Sequence, residues 1–395
     1  MRKIIFLAAA GVLSTLQIGL TGCTDMDGDG IDSIEWTGST NPESTSYRNP
    51  VWEPSLEGGT VVVTPTNFVA IGGETQWAVG VDYCCPTIIS TNMMQWTTNQ
   101  QNAFTAANRP AWITGRINSV SADYITESTK VDVPTPKPRV DEDGNPVFDA
   151  DSVAIVDTVL VTEDRVASRY FMVYSTDKDN AIGVASAANA QGPYVDHGCL
   201  LKASDLGAST LADPFIAAFG NDSIYIGYTT SEGSYVRKIE FPFTVNETSF
   251  AMSIDATGLP TLGDAVKVSS ASFSNIALFR DADGNYMIFG DVNGGVNYAV
   301  GSEPTGPFGS LLSSNGDTFI EGGNGYENPC NVMRVVASSN GNYYVAYNAT
   351  KTDTPVMPSG YVRQPMMLNP FKISGGKVSS TITVNSGWTS PRFQK

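Results

Sequence analysis

The chain has 395 residues, of which 41% are hydrophobic and only 16% are charged, so it has the composition of a globular protein with a large core. Its formal net charge of −17 disfavours nucleic acid and anionic membranes as partners, because phosphate groups bind clustered Lys and Arg side chains. A neutral ligand such as a sugar is compatible with this charge. Helical apolar stripes are scarce after the N-terminal segment, whereas Asn, Ser, Thr and Gly are abundant.

The first 22 residues are predicted to be a lipoprotein signal peptide. Met1-Arg2-Lys3 precedes the apolar run Ile4–Leu16, which is too short to span a membrane. Leu20-Thr21-Gly22-Cys23 resembles a bacterial lipobox, so we expect Cys23 to be lipidated and to become the mature N-terminus. An ordinary secretory signal with a chance cysteine is the alternative. We therefore expect an outer-membrane lipoprotein that faces the periplasm or the cell surface and contacts the membrane only through its lipid.

Residues 23–46 are predicted to form an acidic flexible tether. Asp25–Asp32 places carboxylates at alternate positions before a glycine, like the start of a calcium loop. The twelfth position is Trp36 instead of the glutamate that closes such a loop, which favours a tether and leaves calcium as the alternative. The acidic residues also resemble the surface-export tag of Bacteroidetes lipoproteins. No other cofactor is predicted.

One short unit recurs along the rest of the chain. In its clearest copy, the apolar run Leu211–Phe219 meets a polar turn and continues as the aromatic run Ile224–Tyr228, which is a β-hairpin pattern. Related runs occur at Phe68–Val79, Arg169–Tyr174, Asn275–Phe289 and Asn331–Tyr347. Repeats that contain several short strands are typical of propeller blades. We therefore predict an all-β, five-bladed β-propeller.

The propeller is predicted to span residues 47–395, with an insertion at about 129–165. The centre of the insertion, Val131–Asp151, is rich in proline and acidic turn residues, which favours a loop or a small hairpin. The β-branched run Val153–Leu160 is a candidate strand of that hairpin. The tail Ser379–Trp388 is expected to complete a terminal blade, since an open ring would leave an unpaired edge.

Six short motifs occur in order between about Tyr47 and Trp388. They are Asn49-Pro50-Val51, Gly192-Pro193-Tyr194, Asp213-Pro214, Gly306-Pro307-Phe308, Glu327-Asn328-Pro329 and Arg363–Pro370. Together they resemble the family 43 glycoside hydrolases, five-bladed propellers that include arabinanases and β-xylosidases. The resemblance implies hydrolysis of O-glycosidic bonds in plant-type oligo- or polysaccharides by inversion, by a protein that we expect to be a monomer.

The resemblance also implies roles for individual carboxylates. Asp213 matches the aspartate that tunes the pKa of the acid, and Glu327 matches the general acid, with Asn328 in place of the usual glycine. Glu321 is the alternative acid. The acid must be protonated to donate to the leaving oxygen, whereas the base must be ionised to activate water.

No aspartate matches the general base of the family. The matching position falls at Gly58–Gly59 or near Thr64–Thr66, and neither stretch offers a carboxylate. Glu53, followed by Pro54, is the nearest substitute, with Glu57 close by. If neither glutamate acts as the base, the chain is a propeller that binds glycans without cleaving them. The position of these glutamates relative to the propeller axis separates the two hypotheses.

Four further residues are predicted to bind substrate. Trp52, Trp112 and Tyr326 are candidates for stacking on sugar rings, with packing between blades as the alternative. Arg363 belongs to the closing motif of the resemblance.

The histidine and the cysteines do not form a metal-binding pattern. The only histidine, His197, lies outside the motifs, and the four cysteines after Cys23 have no zinc-site spacing. We therefore predict no metal site in the propeller and favour buried free thiols.

Overall fold

β-Strands make up almost all of the regular structure in a computed structural model that describes residues 45–220, 223–255, 258–269, 273–309 and 318–395. Within these ranges the only helical element is the 3₁₀ turn Ala203–Leu206. This part of the chain contains no helix that is both long enough and apolar enough to cross a membrane. The signal peptide, Cys23 and the acidic tether as far as residue 44 lie outside the described residues. The predicted all-β class is confirmed.

Five sheets are arranged as blades around a central channel. The innermost strand of each blade contacts that of the next, and the last contacts the first, so the ring is closed. The innermost strands, in chain order, are Thr60–Val63, Ile117–Pro138, Leu211–Ala218, Ser274–Arg280 and Tyr326–Ala337. The predicted five-bladed propeller is therefore confirmed.

The remaining strands of each blade follow outward from the innermost one. Blade 1 adds Phe68–Ile71, Pro86–Ser90 and Thr97–Asn102. Blade 2 adds Val156–Thr176, Ala181–Ala187 and Val195–Lys202. Blade 3 adds Ile224–Thr230, Gly233–Glu240, Thr261–Leu262 and Val266–Ser269. Blade 4 adds Tyr286–Val292, Gly295–Gly301, Ile320–Glu321 and Ile382–Thr383. Blade 5 adds Tyr343–Lys351 and Met366–Phe371.

Four small two-stranded sheets complete the described strands. They are Tyr47–Asn49 with Gly387–Thr389, Thr75–Ala78 with Val81–Tyr83, Phe243–Val245 with Met252–Ile254, and Ile373–Ser374 with Lys377–Val378.

The aromatic runs of blades 2 to 5 form the second strand of their blades, whereas the run that contains Trp77 lies in the small sheet of Thr75–Ala78 with Val81–Tyr83. Tyr228, Phe289 and Tyr347 are each at most 1% exposed and belong to apolar clusters that join neighbouring sheets. Burying such large side chains contributes strongly to the stability of a fold. The repeated pattern therefore stabilises the contacts between blades.

The N-terminal end of the described chain seals the ring against blade 5. Tyr47–Asn49 pairs antiparallel with Gly387–Thr389, and Trp52 forms a bridge to Met366 on the outer strand of blade 5. The side chain of Asn49 accepts the N–H of Leu368 at 3.0 Å and donates to its carbonyl at 2.9 Å.

The tail does not extend the terminal blade as expected. Ile382–Thr383 pairs in parallel with Ile320–Glu321 and so becomes the outer strand of blade 4. The reason is apolar packing, because Ile382 is only 7% exposed and shares a core cluster with Ile320.

The insertion in blade 2 forms an extended hairpin rather than a loop. Ile117–Pro138 and Val156–Thr176 stay paired from the blade to the far end, where Pro138 lies opposite Val156. In the outer part, between the pairs Thr129–Arg165 and Pro138–Val156, side chains alternate between partly buried and exposed. This outer part is called the arm below.

Candidate active site

A polar residue interrupts the innermost strand of blades 3, 4 and 5 at the same place. Asp213, Asn275 and Asn331 each have a φ of 49°, and the strand register shifts beside each of them. Asp and Asn are the non-glycine residues that adopt this left-handed conformation most readily. Each of the three blades therefore carries one short polar side chain at this end of the channel, which is called the bulged end below.

The channel behind the bulges holds a cavity of about 180 Å³. Gly59, Pro214, Asn275 and Asn331 line it at the bulged end. Small-molecule sites in proteins typically occupy about 300–1,000 Å³. A sugar chain would therefore have to lie over the bulged end rather than inside the channel.

A second layer of polar residues supports the bulges. Thr229, Asp291 and Asn348 lie on the second strands, opposite the residue that precedes each bulge. The backbone N–H of Asn275 donates to the Thr229 hydroxyl at 3.2 Å, and that of Asn331 donates to the Asp291 carboxylate at 3.0 Å. The bulges of blades 4 and 5 are thus each fixed by a side chain of the preceding blade.

Asp291 is the acidic member of this layer. One carboxyl oxygen accepts from the side-chain amide of Asn275 at 2.9 Å, while the backbone N–H of Asn331 reaches both oxygens, at 3.0 and 3.2 Å. Burial is the main cause that raises the pKa of Asp291 to about 8, and the charge of Asp213 raises it further against the lowering effect of the two hydrogen bonds. This raised pKa favours the protonated form of Asp291 at neutral pH.

Asp213 lies close enough to Asp291 for its charge to act on the Asp291 carboxyl group. Burial raises its pKa to about 6, so Asp213 ionises before Asp291. Burial also raises the pKa of the Cys330 thiol well above its ordinary value, and Asp291, Glu57 and Asp213 add to this effect. Asp213 and Asp291 are enclosed but retain partial solvent exposure. The two pKa values therefore favour a state in which Asp213 is ionised and Asp291 is protonated.

Asp291 was not among the residues predicted from the sequence. It is the sixth residue of the run Tyr286–Asp291, as Thr229 is of Ile224–Thr229 and Asn348 is of Tyr343–Asn348. Aligning the repeats on their second strands, rather than on their turns, would have shown a carboxylate at a position that is neutral in the other two blades.

The predicted acid, Glu327, lies on the innermost strand of blade 5, four residues before the Asn331 bulge. Its side chain is exposed, and its backbone lies opposite Thr350. The alternative acid, Glu321, is also exposed, and its carboxylate accepts from the Thr383 hydroxyl at 2.9 Å.

The predicted base, Glu53, lies near Tyr326 and Arg363. Burial raises the pKa of Tyr326, the charges of Glu53 and Asp353 raise it further, and Arg363 lowers it. The structure therefore brings together Glu53, Tyr326 and Arg363, all of them predicted from the sequence. Tyr326 and Arg363 are 5% and 4% exposed, so neighbouring residues cover both side chains.

The two predicted stacking tryptophans are packed against other aromatic rings. Trp52 is 3% exposed, and its ring centroid lies 5.5 Å from that of Trp77. Trp112 is partly exposed, and its ring centroid lies 6.1 Å from that of Tyr174. Trp112 is thus the more accessible of the two.

The position that matches the missing base has no room for a side chain. Gly58 has a φ of 57°, and a Cβ atom there would lie 1.9 Å from the carbonyl oxygen of Asn118. A Cβ atom on Gly59 would lie 2.5 Å from the carbonyl oxygen of Ile71. Nearby, Glu57 forms an ion pair with Arg116 at 3.0 Å.

Among the described residues, no group of three or more His, Cys, Asp or Glu side chains is arranged to hold a metal ion. The His197 ring lies in blade 2, where its Nε2 is 2.8 Å from the Ser186 hydroxyl. The cysteines at 84, 85, 199 and 330 are free thiols.

Several solved structures share this fold. A xylan β-1,4-xylosidase from Bacillus halodurans matches 86% of this chain and 57% of its own chain, at 8% identity and a TM-score of 0.51. A GH43 arabinoxylan arabinofuranohydrolase from Bacillus subtilis, solved with cellotetraose, matches 86% of this chain and 69% of its own, at 15% identity and a TM-score of 0.52. An exo-β-1,3-galactanase from Phanerochaete chrysosporium, solved with galactose, matches 84% and 66%, at 12% identity and a TM-score of 0.51.

At these identities the likeness shows the five-bladed fold. The chain spans less than two thirds of the xylosidase it matches. No protein-family model and no curated protein matches the chain.

Proposed function

We propose that this chain is a glycoside hydrolase of the arabinanase or xylosidase type, which cleaves O-glycosidic bonds of plant-type oligo- or polysaccharides by inversion. The observation that carries the proposal is Asp213, an enclosed carboxylate held in a left-handed bulge at the bulged end of the channel. Glycosidases need one protonated and one ionised carboxyl group near the scissile bond. The likeness to xylosidase, arabinofuranohydrolase and galactanase structures supports the same class of reaction.

In this proposal Asp213 tunes the acid, because a nearby negative charge raises the pKa of a carboxyl group. Glu53 is the proposed base, which takes a proton from the attacking water. Glu327 is the proton donor that the sequence suggests. Trp112 is the proposed sugar platform at the surface, while Trp52, Tyr326 and Arg363 stabilise the neighbourhood of Glu53.

Hydrolysis is tested with a panel of arabino- and xylo-oligosaccharides and aryl glycosides, with the anomeric form of the first product followed by NMR. We expect the product to have the opposite anomeric configuration to the substrate. Asp213→Asn should lower the rate on oligosaccharides by about 10²–10⁴, the range for lost acid catalysis. Asp281→Asn, which changes a carboxylate at the opposite end of blade 4, is the matched control. Retained configuration, or an unchanged rate in Asp213→Asn, would contradict the proposal.

Binding without hydrolysis is a second candidate function. Gly58 and Gly59 leave no room for the side chain that the resemblance requires as the base. A protein that binds oligosaccharides in calorimetry but releases no product from any substrate, aryl glycosides included, would be such a glycan-binding propeller.

We further propose that the protein acts as a monomer at the outer membrane, anchored by a lipid on Cys23 and facing the periplasm or the cell surface. The motive is the lipobox, followed by a polar acidic segment of suitable length for a tether.

A further inference from the structure

We propose that Asp291, rather than Glu327, is the proton donor of the hydrolysis, with Asp213 as its charged neighbour. The inference rests on the proposed function and names a catalytic residue that the family motifs do not point to. It is drawn from the arrangement of Asp291 among the three bulges. The exposed Glu327 has no such surroundings.

The geometry holds the Asp291 carboxyl group in one orientation. The Asn275 side chain binds one oxygen at 2.9 Å, and the backbone N–H of Asn331 binds the other at 3.0 Å. Asn275 and Asn331 both line the cavity, so Asp291 lies directly behind its rim. A donor fixed in this way needs little reorganisation to reach a bound substrate.

The backbone does not require a carboxyl group at this position. In blade 3 the equivalent residue is Thr229, whose hydroxyl makes the same kind of contact with the Asn275 bulge of blade 4. In blade 5 the equivalent residue is Asn348, which accepts from the Asn331 side chain at 2.8 Å. A neutral residue therefore suffices for the fold, and burying a carboxyl group there costs more free energy than burying an amide. We therefore attribute the presence of a carboxyl group at position 291 to proton donation rather than to the stability of the fold.

Burial is the main cause that raises the pKa of Asp291 and so favours its protonated form, and the surrounding charge adds to this effect. Asp213 is the negative group that acts on it, and the Cys330 thiol beside the pair has a pKa raised by burial. Glu57 faces the same region and is paired with Arg116 at 3.0 Å. Since the pKa of Asp213 is about 6 and that of Asp291 is about 8, the required pair of states exists between these values.

In the proposed step the carboxyl proton of Asp291 moves to the glycosidic oxygen while the bond from that oxygen to the anomeric carbon breaks. Water forms the new bond to the anomeric carbon from the opposite face and gives its proton to the base, for which Glu53 is proposed. Glu53 then releases its proton to solvent and Asp291 regains one from solvent, so atoms and charge balance over one turnover.

The test compares Asp291→Asn, which reproduces the blade 5 residue, with Asp291→Thr, which reproduces the blade 3 residue. Both should retain the melting temperature within a few degrees or exceed it. Both should lose about 10²–10⁴ in kcat on arabino- or xylo-oligosaccharides, and much less on 4-nitrophenyl glycosides, which need little protonation. The infrared band of a carboxylic acid should be present at pH 7 in the wild type and absent in both variants. Asp281→Asn is the control.

Two outcomes overturn the inference while leaving the proposed function intact. One is an active wild type whose Asp291 variants keep the oligosaccharide rate. The other is a large loss of rate on oligosaccharides, with a small loss on 4-nitrophenyl glycosides, that appears in Glu327→Gln and not in Asp291→Asn. A wild type with no turnover overturns the proposed function and the donor role together, which distinguishes that failure from the first two.

Discussion

Arg334 and Asp123 form an ion pair across the central channel, with 3.0 Å between the guanidinium nitrogen and the carboxylate oxygen. Arg334 lies on the innermost strand of blade 5 and Asp123 on that of blade 2, two blades that are not neighbours in the ring. Asp123 also accepts the backbone N–H of Ala218, on blade 3, at 3.0 Å. One buried carboxylate therefore joins three blades.

This ion pair should contribute measurably to stability. Arg334→Met leaves the Asp123 carboxylate, 3% exposed, without its cation, and we expect a loss of about 3 kcal/mol in the free energy of unfolding. Asp123→Asn combined with Arg334→Met should recover part of that loss. Urea unfolding of the single and double variants measures the coupling, and purely additive effects would show that the pair is not coupled.

Gly58 should not tolerate a side chain. Gly58→Asp would appear to restore the missing base, yet its φ is 57° and its Cβ would lie 1.9 Å from a backbone oxygen. We expect Gly58→Ala and Gly58→Asp both to be destabilised, with no gain of activity. Gly341→Ala is a matched control, because its φ is also positive, at 78°, but nothing lies near its Cβ. Circular dichroism melting and activity assays measure both effects, and a stable, faster Gly58→Asp would contradict the prediction.

The two enclosed carboxyl groups should make stability depend on pH. Their folded pKa values, about 6 for Asp213 and about 8 for Asp291, exceed the ordinary value of about 3.9, so the folded state binds these protons more tightly than the unfolded state. Their stabilising contribution is complete below about pH 4 and is lost as the pH rises through the folded values. Asp291→Asn should therefore gain in melting temperature relative to the wild type from pH 4 to pH 9. A constant difference over this range would contradict the raised pKa.

The same pair predicts the pH profile of catalysis. If Asp291 donates the proton, kcat on oligosaccharides should fall above about pH 8, as Asp291 ionises. Asp213→Asn removes the neighbouring charge, so the alkaline limb should move to lower pH. The measurement is kcat against pH for the wild type and Asp213→Asn. An alkaline limb at the same pH in both proteins would show that Asp213 does not affect the pKa of the acid.

The stability of the propeller should not depend on the arm. Replacing residues 132–162 with Asn-Gly keeps the cross-strand pair of Val131 and Glu163 as the base of a two-residue hairpin. The removed side chains lie beyond the blade, and along both strands they alternate between partly buried and exposed. We therefore expect the melting temperature to change by only a few degrees. Calorimetry of the shortened protein checks this, and a large drop would show that the arm packs on the ring.

Asp213 could be proposed from the sequence because its signal is local. An aspartate beside a proline at the start of an apolar run is visible without knowledge of the fold, as are the aromatic second strands. Asp291 gives no such signal, because it ends an ordinary strand. Its importance depends on the strand register that places it opposite the residue before the Asn275 bulge, and register is a tertiary property.

The shape of the insertion in blade 2 also depends on strand pairing that the sequence does not show directly. Its prolines and acidic turn residues favour a loop when they are read one by one. The structure instead pairs Val131–Pro138 with Val156–Glu163 residue by residue, since Val and Thr on the two strands lie opposite one another. Local composition therefore located the insertion, while cross-strand pairing decided its shape.

The prolines of the arm have a further consequence for its free edge. Pro134, Pro136 and Pro138 alternate along a strand whose ladder is unbroken, so they occupy the pairs that make no hydrogen bonds within the hairpin. Amide hydrogens at these positions would point outward, and proline has none. That edge therefore offers no donors to an incoming strand at three successive positions, which protects a long two-stranded ribbon from templating amyloid-like association along this side.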